Sequence, residues 1–197
     1  MRKAILATAL LAGFSFPVWA QNAGVDPGTA SRCESCHGEH ASGATPSTPR
    51  LNGQLAPYIV NRLIELTDAT QNSVQATMAM HDLARMSDAL RAAIADYFSR
   101  QAPTASQPEA GKLAAMGGSL YSNGDASHQL PPCQSCHGAR GEGQGAAPRL
   151  AGQRREYLKN QLWNFNFVMR ESPTMHPVGL RLEADQIDAL VAWLGAD

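Results

Sequence analysis

A five-residue motif, Cys-x-x-Cys-His, occurs twice in the chain, at residues 33–37 and 133–137, and a glycine follows each copy. Cysteines about one helical turn apart can form thioethers with the two vinyl groups of one porphyrin. The histidine that follows them can then bind the porphyrin iron. The motif therefore predicts two covalently attached haem c groups, held by six residues: Cys33, Cys36, His37, Cys133, Cys136 and His137.

Three other interpretations of the cysteine pairs explain the sequence less well. A zinc site needs pairs that converge on one ion, whereas these pairs lie about a hundred residues apart and each has its own histidine. A thioredoxin-like redox site needs a βαβ pattern around the motif, and the sequence has none. Two structural disulfides would suit an exported protein, but they leave the paired histidines without a role.

The first twenty residues have the pattern of a secretory signal peptide. Arg2 and Lys3 precede an apolar run at 4–16, and small residues lead up to Ala20, after which cleavage is expected. The apolar run is shorter than the roughly 20 residues that span a bilayer. We therefore expect an exported, periplasmic protein.

The charge balance argues against nucleic acid as a partner. Removing residues 1–20 takes away Arg2 and Lys3 but no acidic residue, which leaves 14 basic against 17 acidic side chains, a net charge of −3. All four cysteines lie in the two motifs, so none is left for disulfides. A covalently held cofactor would stabilise small lobes in their place.

An internal repeat defines the expected architecture. Residues 147–162 match residues 48–63 at eight of sixteen positions in one register, which indicates a duplication. Each half has the motif, a loop, a Pro-Arg-Leu segment, a helix, a methionine-bearing loop and a final amphipathic helix. No strand alternation is evident, so we predict an all-α fold of two tandem domains. The expected divisions are a signal peptide at 1–20, an N-terminal domain at 21–101, a linker at 102–111 and a C-terminal domain at 112–197.

The sixth ligand of each iron decides what the haem can do. Methionine gives a closed electron-transfer site of raised potential, histidine gives a lower potential, and an open position allows ligand or peroxide chemistry. Aligning the halves through their final helices places Met80 opposite Met175, and we expect these two as ligands. His81 and His176, the residues that follow these methionines, are the alternative ligands; otherwise we expect their side chains to face solvent. The remaining methionines considered are expected to fill gaps in the cores: Met86, Met116 and Met169.

The Pro-Arg-Leu segments are the expected surroundings of the haems. A ligating imidazole usually donates its second N–H to a carbonyl or carboxylate, which fixes its orientation. These segments are the most closely repeated part of the chain outside the motifs. We expect the proline carbonyls to accept from the motif histidines, and the arginines either to face haem propionates or to have ordinary surface positions: Pro49, Arg50, Pro148 and Arg149.

Together these features resemble the cytochrome c4 family, di-haem class I cytochromes c made of two similar domains. The likeness covers the mature chain from end to end, and residues 175–187 look like the family's second axial-methionine loop. The resemblance implies two class I cytochrome c domains, His/Met ligation and periplasmic electron transfer, often toward a terminal oxidase. The chain departs from the pattern at Arg91, where an apolar residue is expected, in the short stretch before Cys33, and in a first axial loop one residue shorter before Ser87.

The leading functional hypothesis is a soluble electron carrier between redox proteins, which docks transiently on a membrane respiratory complex such as a terminal oxidase. One alternative is the haem subunit of a sulfide or alcohol dehydrogenase. Another is a di-haem peroxidase, which needs one accessible iron with acid and base groups beside it. A methionine at the corresponding position in both halves argues against the peroxidase.

Overall fold

The computed structural model describes residues 25–67 and 76–197, which fold into helices joined by loops. Nine α-helices, one short 3₁₀ turn and three isolated bridges make up the regular structure of this part of the chain, which contains no sheet. The predicted all-α class is confirmed. The predicted signal peptide lies outside the described residues. None of the described helices is both long enough and apolar enough to cross a bilayer.

The helices form two lobes, each with its own apolar core. The N-lobe contains α1 (Pro27–His37), the 3₁₀ turn (Glu39–Ala41), α2 (Ala56–Glu65), α3 (Ala76–Ala84) and α4 (Asp88–Ser99). The C-lobe contains α5 (Lys112–Asn123), α6 (Gln134–His137), α7 (Arg155–Asn166), α8 (Met175–Gly179) and α9 (Ala184–Leu194). The methionine-bearing segment of the N-lobe, expected to be irregular, is helical from residue 76.

The helix ends follow from local sequence. Asp26 caps α1 by accepting hydrogen bonds from the N–H groups of Gly28, at 2.9 Å, and Thr29, at 3.1 Å. Ser87 caps α4, and its hydroxyl oxygen accepts a hydrogen bond from the Leu90 N–H at 3.3 Å. In α9 a capping box joins Glu183 to residue 186. These contacts satisfy backbone donors that no helical carbonyl can reach.

The final helix of each lobe supplies much of its core. The apolar face of the amphipathic helix α9 is buried, and its residues are Ile187, Leu190, Val191 and Leu194. Helix α4 buries a matching face formed by Ile94, Ala95 and Phe98. Met86 packs against the N-lobe core, as expected. Met116 and Met169 are 53% and 44% exposed, so the prediction that they fill a core is wrong. Met116 lies off the face through which α5 contacts α9.

Helices α5 and α9 cross at small residues. An added Cβ at Gly117 would lie 1.9 Å from the carbonyl oxygen of Ala189, so the two backbones are in direct contact. One turn further along, the rings of Tyr121 and Trp193 lie with centroids 4.5 Å apart. The N-lobe has no separate helix like α5 before its motif among the described residues, because α1 itself contains residues 33–37. This agrees with the short stretch before Cys33.

Two glutamines join the lobes in a two-fold pattern. The backbone N–H of Arg50 donates to Oε1 of Gln153 at 2.8 Å, and Nε2 of Gln153 donates to the Arg50 carbonyl at 3.0 Å. Arg149 and Gln54 repeat this arrangement, with distances of 2.8 and 3.0 Å. Both glutamine side chains are buried. The duplication therefore extends to the contact between the lobes.

Replacing Gln153 with alanine is expected to lower the free energy of unfolding by about 2 kcal/mol, because it leaves the N–H and carbonyl of Arg50 buried without partners. Denaturant unfolding of the holoprotein measures this change. Gln144→Ala, at an exposed position, is the control. Equal stability of the two variants would contradict the prediction.

Residues 102–111 follow the C-lobe closely. The N–H of Gln107 donates to the carbonyl of Gly195 at 3.0 Å, and that of Glu109 donates to Ala192 at 2.9 Å. Asn52 of the N-lobe donates to the carbonyl of Ala102 at 2.8 Å. The expected linker is thus held to both lobes by hydrogen bonds.

Candidate haem sites

The motif histidines are held alike in the two lobes. Nδ1 of His37 lies 2.8 Å from the carbonyl oxygen of Pro49, and Nδ1 of His137 lies 3.0 Å from that of Pro148. These are the acceptors expected from the sequence. A ring that donates through Nδ1 keeps its Nε2 lone pair for a metal. Both lobes therefore present an oriented nitrogen ligand.

Burial sets the charge of these rings. It lowers the pKa of both His37 and His137, and the hydrogen bond to the proline carbonyl opposes this effect only in part. The rings are therefore neutral at neutral pH. A neutral imidazole binds a metal without first losing a proton, so both side chains are ready to act as ligands.

The cysteines suit thioether formation better than metal binding. All four, within the described residues, are free thiols. Cys33 and Cys133 are half-buried against the lobe cores, and Cys36 and Cys136 are exposed. Burial raises the pKa of Cys133 to about 11 and raises the pKa of Cys33 above its ordinary value. The described residues contain no cluster of three or more metal-ligating side chains that could form a zinc site.

A glycine after each motif turns the chain back toward the histidine. Gly38 and Gly138 have φ of +85° and +82°, a region that favours glycine. The histidine carbonyl then accepts from Gly43 at 2.6 Å in the N-lobe and from Gly143 at 2.7 Å in the C-lobe. In the C-lobe, the Tyr121 hydroxyl also donates to the Gly138 carbonyl at 2.6 Å. These bonds fix each motif against the loop that follows it and, in the C-lobe, also against α5.

The two arginines of the Pro-Arg-Leu segments have different surroundings. Arg50 is buried, and its guanidinium donates to the carbonyls of Gly152 at 2.8 Å and Ala196 at 3.0 Å, both in the C-lobe. Arg149 is half-buried and donates from Nε to the Ala151 carbonyl at 3.1 Å. Sequence reasoning missed the role of Arg50 in joining the lobes, because nothing local marks contacts made so far along the chain.

The candidate sixth ligands lie on short helices. Met80, on α3, is half-buried against the N-lobe core, and Met175 is the first residue of α8 and also half-buried. The neighbouring His81 has both ring nitrogens engaged, with Nδ1 3.1 Å from the Leu66 carbonyl oxygen and Nε2 2.8 Å from a guanidinium nitrogen of Arg85. This arrangement favours Met80 over His81.

The two lobes differ at the histidine beside the methionine. His176, next to Met175, has a buried Nδ1 without a hydrogen-bond partner among the described residues. In the C-lobe, the assignment of Met175 rather than His176 as the sixth iron ligand therefore rests on its correspondence with Met80.

Comparison with known proteins identifies the family. Residues 121–194 match the model of cytochrome c oxidase, cbb3-type, subunit III. Cytochrome c4 of Azotobacter vinelandii is 30% identical over 209 residues, which cover 98% of each chain. A thiosulfate dehydrogenase electron acceptor of Thiomonas intermedia (strain K12) is 33% identical, covering 98% of this chain and 90% of the relative. The solved structure of Acidithiobacillus ferrooxidans cytochrome c4 superposes with a TM-score of 0.76 at 32% identity, covering 83% of this chain and 98% of that one.

The residues described above fit the cofactor that these relatives imply. Each lobe has two free thiols beside a neutral and oriented histidine, and Met80 packs against the N-lobe core. The protein carries two covalently bound haem c groups, and its role is electron transfer rather than catalysis. With coverage from end to end and a matching arrangement of two class I cytochrome c lobes, the chain belongs to the cytochrome c4 family of di-haem electron carriers.

Proposed function

We propose that this protein is a periplasmic electron carrier whose two irons are bound by His37 with Met80 and by His137 with Met175. The observation that carries the proposal is the hydrogen-bonded orientation of the motif histidines, which is the same in both lobes. The engagement of both nitrogens of His81 supports methionine as the opposite ligand in the N-lobe. Thioethers at Cys33, Cys36, Cys133 and Cys136 attach the haems, and the units are residues 21–101 and 112–197, joined by 102–111.

The haem supplies one-electron exchange between ferric and ferrous iron. The protein fixes its ligands and limits the access of water. The histidines are buried, and the proline carbonyls hold their rings in place. A methionine sulfur favours ferrous iron and raises the potential. No proton transfer is needed, so the sites require no acid or base.

Pro49 and Pro148 act through their carbonyls, and we propose that Arg50 and Arg149 add positive charge near the haem propionates. Burial lowers the pKa of both guanidiniums without making them neutral at ordinary pH. Charge reversal of Arg149 should then lower the potential of the second haem. An unchanged potential would argue against this role.

For the redox partners we propose a dehydrogenase as donor and a membrane respiratory complex, such as a terminal oxidase, as acceptor. The Thiomonas relative is named as the electron acceptor of thiosulfate dehydrogenase, which supports the donor. The matched oxidase-subunit family supports the acceptor. Stopped-flow reduction by purified thiosulfate dehydrogenase and re-oxidation by oxidase-containing membranes test the two steps separately. The predicted signal peptide supports a periplasmic location.

Haem ligation is tested by the spectrum of the oxidised holoprotein, with haem counted per chain. We expect two haems and a near-infrared methionine-to-iron charge-transfer band. Met80→Ala and Met175→Ala should each remove about half of the band, because each opens one iron. Met116→Ala, at an exposed position, is the control. High-spin or bis-histidine features in the unmodified protein would contradict the proposed ligands.

A further inference from the structure

A buried arginine lies at the start of the last N-lobe helix. Arg91 is 8% exposed and shares the core-facing side of α4 with Ile94, Ala95 and Phe98. A buried cation is costly, so the position requires a reason beyond packing. Its guanidinium donates to the carbonyl of Met86 at 3.2 Å.

The contacts of this arginine close the segment that carries Met80. The guanidinium also pairs with the carboxylate of Asp88, while Nε is buried without a partner among the described residues. Residues 85–87 connect α3, which bears Met80, to α4. Arg91 therefore ties the end of the methionine-bearing segment to the helix that builds the core.

The C-lobe fills the corresponding position differently. Aligning the helix caps Ser87 and Glu183 places Arg91 opposite Ile187, which is fully buried in the C-lobe core. An arginine in place of the expected apolar residue is therefore found in the N-lobe and not in the C-lobe. An apolar residue at this position cannot donate to a carbonyl, so the C-lobe needs another means of holding its methionine segment.

Asn166 supplies that means. It is the last residue of α7, and its amide nitrogen donates to the carbonyls of Gly179 at 2.9 Å and Leu182 at 3.1 Å. Both acceptors belong to the chain that follows Met175. In the N-lobe, the repeat places Thr67 at the matching position, and its hydroxyl bonds instead to the carbonyl of Ile64, the next-to-last residue of α2.

We propose that Arg91 and Asn166 are positioning residues that hold the Met80 and Met175 segments in the iron-bound conformation, each acting in one lobe only. The proposal rests on the methionine ligation proposed above. Hydrogen bonds that favour the bound segment strengthen the methionine–iron bond against an external ligand. Their loss raises the fraction of iron that an external ligand can reach.

Imidazole titration of the oxidised holoprotein tests the proposal, with the methionine-to-iron charge-transfer band as readout. Arg91→Ile, which copies the C-lobe residue, should raise imidazole affinity about tenfold at the N-lobe haem and leave the C-lobe haem unchanged. Asn166→Ala should raise it about tenfold at the C-lobe haem only. Met80→Ala and Met175→Ala, each with one open iron, assign the two binding phases.

The controls separate positioning from general loosening. Arg100→Leu removes an exposed arginine from the C-terminal end of α4 and should leave both phases unchanged. Haem content and thermal unfolding are recorded for every variant, and Arg91→Gln replaces Arg91→Ile if the latter fails to fold with two haems. Unchanged affinities, or equal shifts at both haems in either variant, would overturn the proposal while leaving the proposed ligands intact. Absence of the charge-transfer band in the unmodified protein would overturn both.

Discussion

Replacing Cys133 and Cys136 with alanine is expected to reduce the covalently bound haem from two groups per chain to one. The remaining cysteines, Cys33 and Cys36, belong to the other motif, and no other thiol is available for attachment. Intact mass and haem extraction into acidified organic solvent measure the change directly. Haem that stays with the protein after extraction is covalently bound.

The same replacement is expected to destabilise the C-lobe strongly. Cys133 packs against the core formed around Tyr121 and Ile187, so a cofactor attached there contacts that core. A small lobe buries little apolar surface of its own and depends on a covalently held group. Thermal unfolding followed by circular dichroism should show a first transition that the unmodified protein lacks.

Two matched variants control this experiment. Cys33→Ala combined with Cys36→Ala should also leave one haem per chain, now in the C-lobe. Ser135→Ala changes the motif between its cysteines and should keep two haems, since among the described residues its hydroxyl contacts only the Pro132 carbonyl and the neighbouring sulfur. Two extraction-resistant haems in the Cys133 and Cys136 variant would refute covalent attachment at this motif.

Features set by neighbouring residues could be predicted from the sequence. The Ser87 cap depends on a hydroxyl three residues from its N–H partner, and the buried face of α9 follows from apolar residues at helical spacing. The acceptors of His37 and His137 were predictable for another reason. The motif and the Pro-Arg-Leu segment repeat together, which indicates that they contact each other.

Contacts between distant segments could not be predicted. Gln153 and Arg50 form hydrogen bonds between the lobes, and the sequence around a loop glutamine does not indicate which residue it will bond. The sequence shows that Arg91 occupies a position where an apolar residue is expected. Its hydrogen-bond acceptor, the Met86 carbonyl, could not be predicted because it depends on how the preceding segment folds back. Met116 was misplaced because a methionine suits a core or a surface equally well, and the crossing of α5 and α9 decides which side is buried.

Gly117→Ala is expected to destabilise the C-lobe by about 3 kcal/mol, although alanine is the better helix former. The gain in helix propensity is about 1 kcal/mol. Against it, the new Cβ would lie 1.9 Å from the Ala189 carbonyl oxygen and 2.5 Å from the carbonyl carbon. Backbone atoms cannot move aside as a side chain does, so α5 and α9 must separate along their whole contact. Denaturant unfolding of the holoprotein gives the change in free energy.

Gly118→Ala is the matched control, because it makes the same chemical change one residue along the same helix. There the nearest atoms belong to the side chain of Trp193, at 3.0 Å and beyond, and a small rotation relieves the contact. We expect a change of less than about 1 kcal/mol for this variant. Similar stabilities for the two variants would mean that helix propensity, rather than the close approach of α5 to α9, controls this position. A large loss at Gly117 alone would show that the C-lobe requires direct contact between the backbones of its first and last helices.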